Sequence, residues 1–266
     1  MKNIREVLEF EKKNLEDNLK VDGYHILDKF VTELEFNQIK KFINEQYLQN
    51  LVRNIPADKL NDINSHFEKD FAPNYYHEIS HLLDHSKTWP KPTRVLPEAF
   101  YKWFLKCSFM NKLREIYNFV EITDEEKLGY GNIYWRIVRP NHSNDIGALH
   151  RDSWFWEIDK EQYLPTYRFK RLKTWISINT KVGENGLLVV PKSHKIKNLP
   201  WHKKEKDGRI KPILSNDNLI DKKKLLPLMS NTAVLFDDDL VHGGAINSAE
   251  LTRVSLEFTS FVSVSN

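Results

Sequence analysis

From about residue 130 onward the chain consists of short β-rich runs, and this feature constrains its fold more than any other. Asn, Asp, Gly and Pro separate the runs, as is typical of strands joined by turns. The runs are NIYWRIVRP, KTWISINTKV, GLLVVP, NTAVLF, LVHGGAI and LTRVSLEFTSFV. The first hundred or so residues instead space their apolar side chains as helices do. Helices followed by strands predict an α+β protein built on a β-sandwich or barrel.

Three stretches of the first half predict particular elements. Thr32 and Glu35 form a capping box, so a helix begins there. VDGYHILDKF, residues 21–30, predicts a short strand. PEAFYKWFLKCSFMNKLREIY, residues 97–117, predicts a further helix.

The length of 266 residues fits a single domain, because all-β barrels and sandwiches of this size are often undivided. We expect one domain over 1–266, in which 1–128 is mainly helical support and 129–266 is the β core. A polar, Lys-rich stretch near 195–226 predicts an insertion or lid within that core. From Lys192 to Lys224 the chain holds eleven Lys and Arg residues against four acidic ones. This excess either favours an anionic substrate or marks a solvated loop.

Composition excludes several classes of protein. The 40 basic and 37 acidic residues give a mixed charge of +3, from which neither a nucleic-acid partner nor a membrane surface follows. Cys107 is the only cysteine, so the chain has no disulfide framework and no Cys-based zinc site. No run of about 18 apolar residues occurs, and the start lacks an apolar signal region. We therefore expect a cytoplasmic protein with no nucleic-acid or membrane partner.

HEISH, residues 77–81, fits the H-E-x-x-H pattern of zinc metallopeptidases, in which a helix presents two histidine ligands and a glutamate base. On a helix, however, His77, His81 and His85 would lie opposite the apolar stripe and face solvent. No histidine stands where the longer metalloprotease pattern places a third ligand, and Glu98 is a candidate substitute. We therefore interpret the stretch as a polar helix face, with a zinc metallopeptidase as the alternative function.

A second histidine motif lies in GALHRDSWFWEI, residues 147–158. In a strand, residues i and i+2 point to the same face, so the side chains of His150 and Asp152 can converge on one point. The run LVHGGAI adds His242. Two histidines and one carboxylate form the facial triad of non-haem Fe(II) oxygenases, which leaves one face of the metal open. The triad alone does not exclude zinc.

Arg253 lies eleven residues beyond His242, in the strand-like run TRVSLEF. Arg253 and Ser255 share one face of this strand, and the apolar residues occupy the other. An inward arginine can bind a carboxylate through two parallel hydrogen bonds. A five-carbon keto diacid would then chelate the iron with its keto acid end and reach Arg253 with its other carboxylate.

HRDSW, KTWISINTKVGENGLLVVPKSHK, VHGG and TRVSLEF together resemble the phytanoyl-CoA dioxygenase family of Fe(II)- and 2-oxoglutarate-dependent oxygenases, over roughly residues 20–262. The resemblance implies a double-stranded β-helix, or jelly-roll, core buttressed by the N-terminal helices. The site residues that it implies are the iron ligands His150, Asp152 and His242 and the 2-oxoglutarate-binding residues Arg253, Ser255 and Trp175. Gly244 departs from those relatives that offer a hydroxyl to 2-oxoglutarate at this position.

The resemblance also implies a reaction. Fe(II), 2-oxoglutarate and O2 together give succinate and CO2 while a C–H bond of a small-molecule substrate is hydroxylated. Asp152 favours hydroxylation, because related halogenases lack this carboxylate so that halide can bind the iron. Desaturation and epimerisation would use the same residues and stay open. A non-catalytic jelly-roll binding protein is the further alternative.

The remaining features of the second half have structural interpretations. We predict that Asp237, Asp238 and Asp239 form a solvated turn, and that Ser193 and His194 in NGLLVVPKSH are structural. The aromatic side chains of the SWFW stretch either line a substrate mouth or cover the barrel edge. They are Trp154, Phe155 and Trp156.

Overall fold

The computed structural model describes residues 4–116, 119–159, 169–206 and 209–263. Its α-helices are α1 (Ile4–Val21), α2 (Glu33–Asn54), α3 (Asn64–Phe67), α4 (Tyr76–Ile79), α5 (His85–Thr88), α6 (Glu98–Phe104), α7 (Ser108–Ile116), α8 (Ser153–Asp159) and α9 (Asp217–Ile220). Its strands are β1 (Tyr24–Asp28), β2 (Phe119–Ile122), β3 (Tyr134–Val138), β4 (Phe169–Asn179), β5 (Leu187–Val189), β6 (Trp201–Lys206), β7 (Arg209–Leu214), β8 (Lys224–Leu225), β9 (Thr232–Asp237), β10 (His242–Gly244) and β11 (Arg253–Ser263). Short 3-10 helices span Ala57–Ile63, Ala72–Tyr75, Ser80–Leu82, Lys91–Arg94, Ser143–Asp145 and Ser193–Lys195.

Helix α2 begins where the capping box predicts it. The Thr32 hydroxyl accepts the backbone N–H of Glu35 at 3.3 Å, and the Glu35 carboxylate accepts the backbone N–H of Thr32 at 2.9 Å. The buried face of the helix, which includes Ile39, Ile43 and Leu51, packs into the main apolar core. The helix thereby joins the layer that covers one face of the larger sheet.

The long strand β11 organises the larger sheet. The order of this antiparallel sheet is β1-β9-β4-β11-β2, and β3 also pairs with β11. β11 therefore has β4 along one edge, and β3 followed by β2 along the other. A three-stranded antiparallel sheet, β10-β5-β8, faces the larger sheet across an apolar layer. Two antiparallel sheets with helices on one side confirm the predicted α+β jelly-roll architecture.

The two faces of the larger sheet differ because alternate side chains of a strand point to opposite faces. Ile176 and Leu256 lie on the outer face and pack with the helices in the main core. Trp175 lies on the inner face and packs against the smaller sheet. Arg253 and Ser255 are on this inner face too, because they alternate with the apolar residues of β11. The side chains of Trp175, Arg253 and Ser255 therefore face the interior of the jelly-roll.

The helix predicted over residues 97–117 is in fact two helices, α6 and α7. The carboxylate of Glu35 accepts the backbone N–H of Ser108 at 2.7 Å, which caps α7 and ends the helical continuity. This contact joins residues 73 apart in the sequence, so local spacing could not reveal it. Residues 117 and 118 lie outside the described residues.

The supporting half and the Lys-rich stretch both contain strands. Residues 1–128 contribute β1 and β2 to the larger sheet, so this half is not only helical. The Lys-rich stretch near 195–226 forms the antiparallel hairpin β6–β7, helix α9 and strand β8. The backbone N–H of Leu214 donates to the carbonyl oxygen of Leu149 at 2.9 Å, which ties the hairpin to the segment that carries His150. Over the described ranges, no helix is long and apolar enough to cross a membrane.

Candidate active site

His150 and His242 are held together by main-chain hydrogen bonds. They form an isolated antiparallel bridge, in which the two backbone N–H groups donate to the partner carbonyl oxygens at 3.0 and 2.9 Å. Asp152 is not in a strand, contrary to the prediction, but in the turn before α8. The N–H of Ser153 donates to the carbonyl oxygen of Asp238 at 3.1 Å and so holds this turn. The turn, and not a strand period, brings the carboxylate to the two imidazoles.

The three side chains place one ligand atom each around a common point. Asp152 Oδ1 lies 3.5 Å from His150 Nε2 and 3.7 Å from His242 Nε2. Each imidazole makes its other hydrogen bond with a main-chain carbonyl, His150 Nδ1 with Ala148 at 2.7 Å and His242 Nδ1 with Leu240 at 2.9 Å. Because a carbonyl oxygen can only accept, Nδ1 carries the proton and each Nε2 lone pair is free for a metal ion.

This donor set fits a divalent metal of the non-haem iron type. Two imidazoles and one carboxylate on one side of a point leave its other side open. Burial by itself would raise the pKa of Asp152, but Lys173 and then His242 outweigh it and hold that pKa well below its usual range. Burial lowers the pKa of His242 to about 4, so its imidazole is neutral. A carboxylate and a neutral imidazole are the protonation states that metal binding needs.

Arg253 is a buried cation with no acidic ion-pair partner among the described residues. It is 3% exposed. Its Nη1 donates to the carbonyl oxygen of Gly186 at 2.6 Å, while Nε has no hydrogen-bond partner. Burial, and then the nearby Arg136, lower its pKa to about 10. The hydroxyl of Ser255 is also buried without a partner. Unpaired buried groups are costly, so this corner of the site fits a carboxylate ligand.

Trp175 completes the predicted cosubstrate site. Its ring centroid lies 5.8 Å from the guanidinium carbon of Arg253. At Gly244, an added Cβ would lie 3.3 Å from Ile146 Cβ and 3.8 Å from Arg253 Nη2. A hydroxyl-bearing side chain would therefore crowd Ile146, which gives a physical reason for glycine here. The structure thus brings Arg253, Ser255 and Trp175 to one inner face.

Sequence reasoning did not predict the site contacts of three charged residues of the inner face: Arg136, Lys173 and Glu257. Arg136 and Glu257 form an ion pair across β3 and β11. Lys173 Nζ lies 3.7 Å from Asp152 Oδ2, and that oxygen has no hydrogen-bond partner. Lys173 lies two residues before Trp175, so the strand period of two could have placed it on this face.

The aromatic side chains of α8 divide between the two predicted uses. Phe155 meets the ring of His150 edge-on, with centroids 5.2 Å apart, and so lines the site. Trp154 is buried and stacks on Trp201 of the β6–β7 hairpin, with centroids 5.5 Å apart. Trp154 therefore covers the barrel and anchors the Lys-rich hairpin beside the triad.

The prediction of a solvated turn at Asp237–Asp239 is wrong for two of the three residues. Asp237 and Asp238 are 8% and 7% exposed, because this turn lies beneath α8 and against β4. Asp238 pairs with Arg171 at 2.8 Å. Burial nevertheless raises the pKa of Asp238 to about 7, although Arg171 opposes the rise.

As predicted, Ser193 is structural, since its hydroxyl accepts the backbone N–H of Val241 at 2.8 Å.

The histidines of HEISH do not converge. The short helix α4 gives way to a 3-10 helix within the motif, so the predicted single helix face does not form. His81 is exposed, whereas His77 Nδ1 is hydrogen-bonded to the Thr252 hydroxyl at 3.2 Å. In the part of the chain that the structure describes, one group of His, Cys, Asp or Glu side chains is placed to share a metal ion: His150, Asp152 and His242.

The family model for phytanoyl-CoA dioxygenase (PhyH) matches residues 19–255. The chain belongs to the phytanoyl-CoA dioxygenase family. This membership confirms the enzyme class that the resemblance implied, a non-haem iron oxygenase with Fe(II) and 2-oxoglutarate as its cofactors. A search of curated proteins found no match.

Several solved structures share the fold of this family member. EvdO2 from Micromonospora carbonacea var. aurantiaca, complexed with 2-oxoglutarate, has a TM-score of 0.58 and 15% identity over 95% of this chain and 93% of that one. EctD from S. alaskensis, with 2-oxoglutarate and 5-hydroxyectoine, has a TM-score of 0.54 and 14% identity over 94% and 75%. SnoK, a non-haem α-ketoglutarate-dependent carbocyclase from nogalamycin biosynthesis, has a TM-score of 0.53 and 13% identity over 94% and 83%. At these identities the likeness shows the fold.

Proposed function

We propose that the protein is an Fe(II)- and 2-oxoglutarate-dependent dioxygenase that hydroxylates an unactivated C–H bond of a small-molecule substrate. The observation that carries this proposal is a metal-binding triad inside the jelly-roll that also buries an unpaired arginine. A keto diacid would satisfy both, because one end chelates the metal and the other carries a carboxylate. Residues 1–266 would work as one oxygenase domain, with 1–128 as mainly helical support and 129–266 as the jelly-roll core.

His150 and His242 would hold Fe(II) through Nε2, and Asp152 would hold it through Oδ1. When bound, iron and 2-oxoglutarate supply the oxidising power that converts a C–H bond and O2 into an alcohol, with succinate and CO2 as coproducts. These three residues would bind the ion from one side and leave its other side to 2-oxoglutarate and O2. Asp152 would hold the position that a halide needs, which favours hydroxylation over halogenation.

Arg253 would bind the distal carboxylate of 2-oxoglutarate with its planar fork of N–H donors. The hydroxyl of Ser255, which has no other partner, would donate to the same carboxylate. Trp175 lies beside the guanidinium and would keep water from the pair. Exclusion of water strengthens the electrostatic contact and fixes the orientation of the cosubstrate.

Proteins of this fold act on small organic molecules with different outcomes. SnoK is named a carbocyclase and SnoN an epimerase, and EctD was solved with 5-hydroxyectoine. These names support a small-molecule substrate for this chain as well, without fixing its identity. The single cysteine supports a cytoplasmic enzyme, and the mixed charge supports one that acts on neither nucleic acid nor membrane.

Succinate formation from 2-oxoglutarate tests the proposal. Protein supplied with Fe(II), 2-oxoglutarate and O2 should release succinate, and addition of a true substrate should raise the rate. Zn(II) in place of Fe(II) should give no succinate, because zinc has no redox chemistry. His242→Ala should abolish the reaction.

The alternatives predict other results. A zinc metallopeptidase would cleave peptides with Zn(II), and His77→Ala would remove that activity. A non-catalytic binding protein would form no succinate across a broad screen of small molecules. Either result would contradict the proposed function.

A further inference from the structure

We infer that the substrate carries an oxyanion, a carboxylate or a phosphate, and that Arg136 and Arg94 bind it beside the metal triad. This inference rests on the proposed function, because it names the class of substrate for that same site. Neither arginine is among the residues assigned above to iron or 2-oxoglutarate.

Arg136 lies on the inner face of the sheet, and its side chain is partly accessible there. It projects from β3 at the level of Ser255, its partner on β11. Its neighbours Trp135 and Ile137 are 0% and 4% exposed, yet the side chain of Arg136 is 41% exposed. Glu257 binds one side of the guanidinium, and Nε has no partner. The guanidinium is therefore held in place while part of it stays accessible to a ligand.

Arg94 reaches the same region from the end of the 3-10 helix Lys91–Arg94, beside β3. Its guanidinium group donates to the carbonyl oxygens of Trp89 at 3.0 Å and Trp135 at 3.4 Å. These hydrogen bonds fix the orientation of the Arg94 guanidinium, but a carbonyl oxygen carries no full negative charge that would neutralise it. Burial, and then the charge of Arg136, lower the pKa of Arg94 to about 9. A bound anion would remove that electrostatic cost.

Arg139, just beyond β3, shows how this protein neutralises a structural arginine. Asp145 accepts hydrogen bonds from its Nε at 2.9 Å and its Nη2 at 2.8 Å. The hydrogen bond with Asp145 raises the pKa of Arg139. Arg94 has no such carboxylate within ion-pair distance among the described residues. Both arginines lie near His85, whose pKa is lowered by burial and also by both of them, so the difference indicates a separate role for Arg94.

The positive charge near Arg94 exceeds the nearby negative charge. Arg209, at the start of β7, adds a third guanidinium whose charge also lowers the pKa of Arg94. Glu257 raises the pKa of both Arg94 and Arg136, and Asp152 adds a smaller effect on the pKa of Arg136 alone. Burial by itself would raise the pKa of Glu257, but Arg136 and then Lys173 outweigh it and lower that pKa to about 2.

The other acidic residues of this region are already engaged. Glu125 and Glu126 bind Lys91 at 2.8 and 3.2 Å. Asp152 faces the metal position and Lys173. The acidic residues of this region therefore do not neutralise all of the positive charge of the arginines. The planar set of N–H donors on each guanidinium can bind a planar or a tetrahedral oxyanion.

The lysines of the β6–β7 hairpin are a weaker source of anion recognition. Lys203 and Lys204 are exposed on β6. Physiological salt screens exposed charges over about 8 Å, so their attraction for a ligand in the site is small. Arg94 is partly buried and Arg136 is fixed by Glu257, so their contacts with a ligand are directional and less screened than those of the hairpin lysines.

Binding of inorganic phosphate and of acetate tests this inference. Both anions are titrated calorimetrically, under anaerobic conditions, into protein saturated with Fe(II) and 2-oxoglutarate. We expect saturable binding of at least one anion, and the tighter of the two identifies the group. Arg94→Gln should weaken it about tenfold or more, the effect of losing a hydrogen bond to a charged group. Arg94→Lys should be intermediate, because it keeps the charge without the fork.

A matched variant separates the arginines from the hairpin. Lys203→Gln combined with Lys204→Gln removes two charges, and we expect less than a twofold change in anion affinity at about 0.15 M salt. Circular dichroism verifies the fold of each variant. If Arg94→Gln does not fold, Arg94→Lys and Arg136→Lys provide the same comparison.

Four results would overturn the inference. The first is that neither anion binds to the wild type, and the second is that the folded arginine variants bind the anion with wild-type affinity. The third is that the lysine variant loses more anion affinity than the arginine variants do. The fourth is that Arg94→Gln loses as much affinity for 2-oxoglutarate as it loses for the anion. The last result would assign Arg94 to the cosubstrate site. The proposed function fails separately, through the absence of succinate, since anion binding to the iron-loaded protein can still be measured.

Discussion

The ammonium nitrogen of Lys173 lies 3.7 Å from Oδ2 of Asp152, and both side chains are nearly buried, at 11% and 12% exposure. The other carboxylate oxygen, Oδ1, faces the two histidines of the triad. The two oxygens of one carboxylate are thus divided between the metal position and a fixed cation. We expect Lys173 to hold Oδ2, so that Asp152 would bind a metal ion through Oδ1 alone.

Lys173→Met should therefore weaken Fe(II) binding about 10- to 100-fold, as removal of a partner of a metal ligand commonly does. Lys173→Arg should restore most of the affinity, because it keeps the positive charge. Anaerobic titration with Fe(II) measures both constants. Wild-type affinity in a folded Lys173→Met protein would show that the ammonium does not position Asp152.

Loss of either histidine ligand should empty the metal site. We expect His150→Ala and His242→Ala to bind less than a tenth of the wild-type iron, because two ligands hold a divalent ion poorly. The fold should persist, since the bridge between them uses main-chain groups. His81→Ala, which removes an exposed histidine of HEISH, is the matched control and should keep its iron. Metal analysis of the purified proteins measures their iron content. If only His81→Ala lost its iron, the assignment of the metal site to His150 and His242 would be wrong.

Arg253 should set the affinity for 2-oxoglutarate. Breaking a buried charge pair costs about 3 to 5 kcal/mol, so Arg253→Ala should raise the dissociation constant more than a hundredfold. Arg253→Lys should also bind weakly, because an ammonium cannot form two parallel hydrogen bonds. Titration with 2-oxoglutarate in the presence of Fe(II), without oxygen, gives the constants. An unchanged constant in Arg253→Ala would leave the cosubstrate assignment without support.

The stability of the fold should fall in mild acid because of His66. Its Nε2 is 2.7 Å from the Tyr47 hydroxyl, and burial lowers its pKa to about 4, below the 6.5 of a free histidine. Between these pH values the unfolded chain binds a proton that the folded protein does not, so stability decreases as pH falls. The expected loss is about 2 kcal/mol from pH 7 to about pH 5. Urea unfolding at both pH values measures it, and His66→Gln should reduce the loss; an equal loss in that variant would contradict the prediction.

The residues of the candidate site could be predicted from the sequence more completely than the turns that support them. His150, Asp152, His242 and Arg253 are predicted because metal and carboxylate chemistry favours these residue types, although a turn, and not the predicted strand period, places Asp152 beside the histidines. Lys173 lay within reach of the same reasoning, since it shares a strand face with Trp175.

Other features depend on contacts between distant parts of the chain. Asp238 looks like a turn residue in the sequence, but it is buried because Arg171 and α8 close over it. The break between α6 and α7 arises from Glu35, which is 73 residues away from its partner Ser108. Periodicity and short motifs contain no information about such pairs.

The visible absorption that forms when 2-oxoglutarate chelates Fe(II) tests the central claim most directly. Under anaerobic conditions the wild-type protein should develop this charge-transfer band when 2-oxoglutarate is added. The band should be absent from His242→Ala, should need far more 2-oxoglutarate in Arg253→Ala, and should be unchanged in His81→Ala. No band in the wild type, or a band that persists in His242→Ala, would contradict the assignment of the triad as the iron and 2-oxoglutarate site.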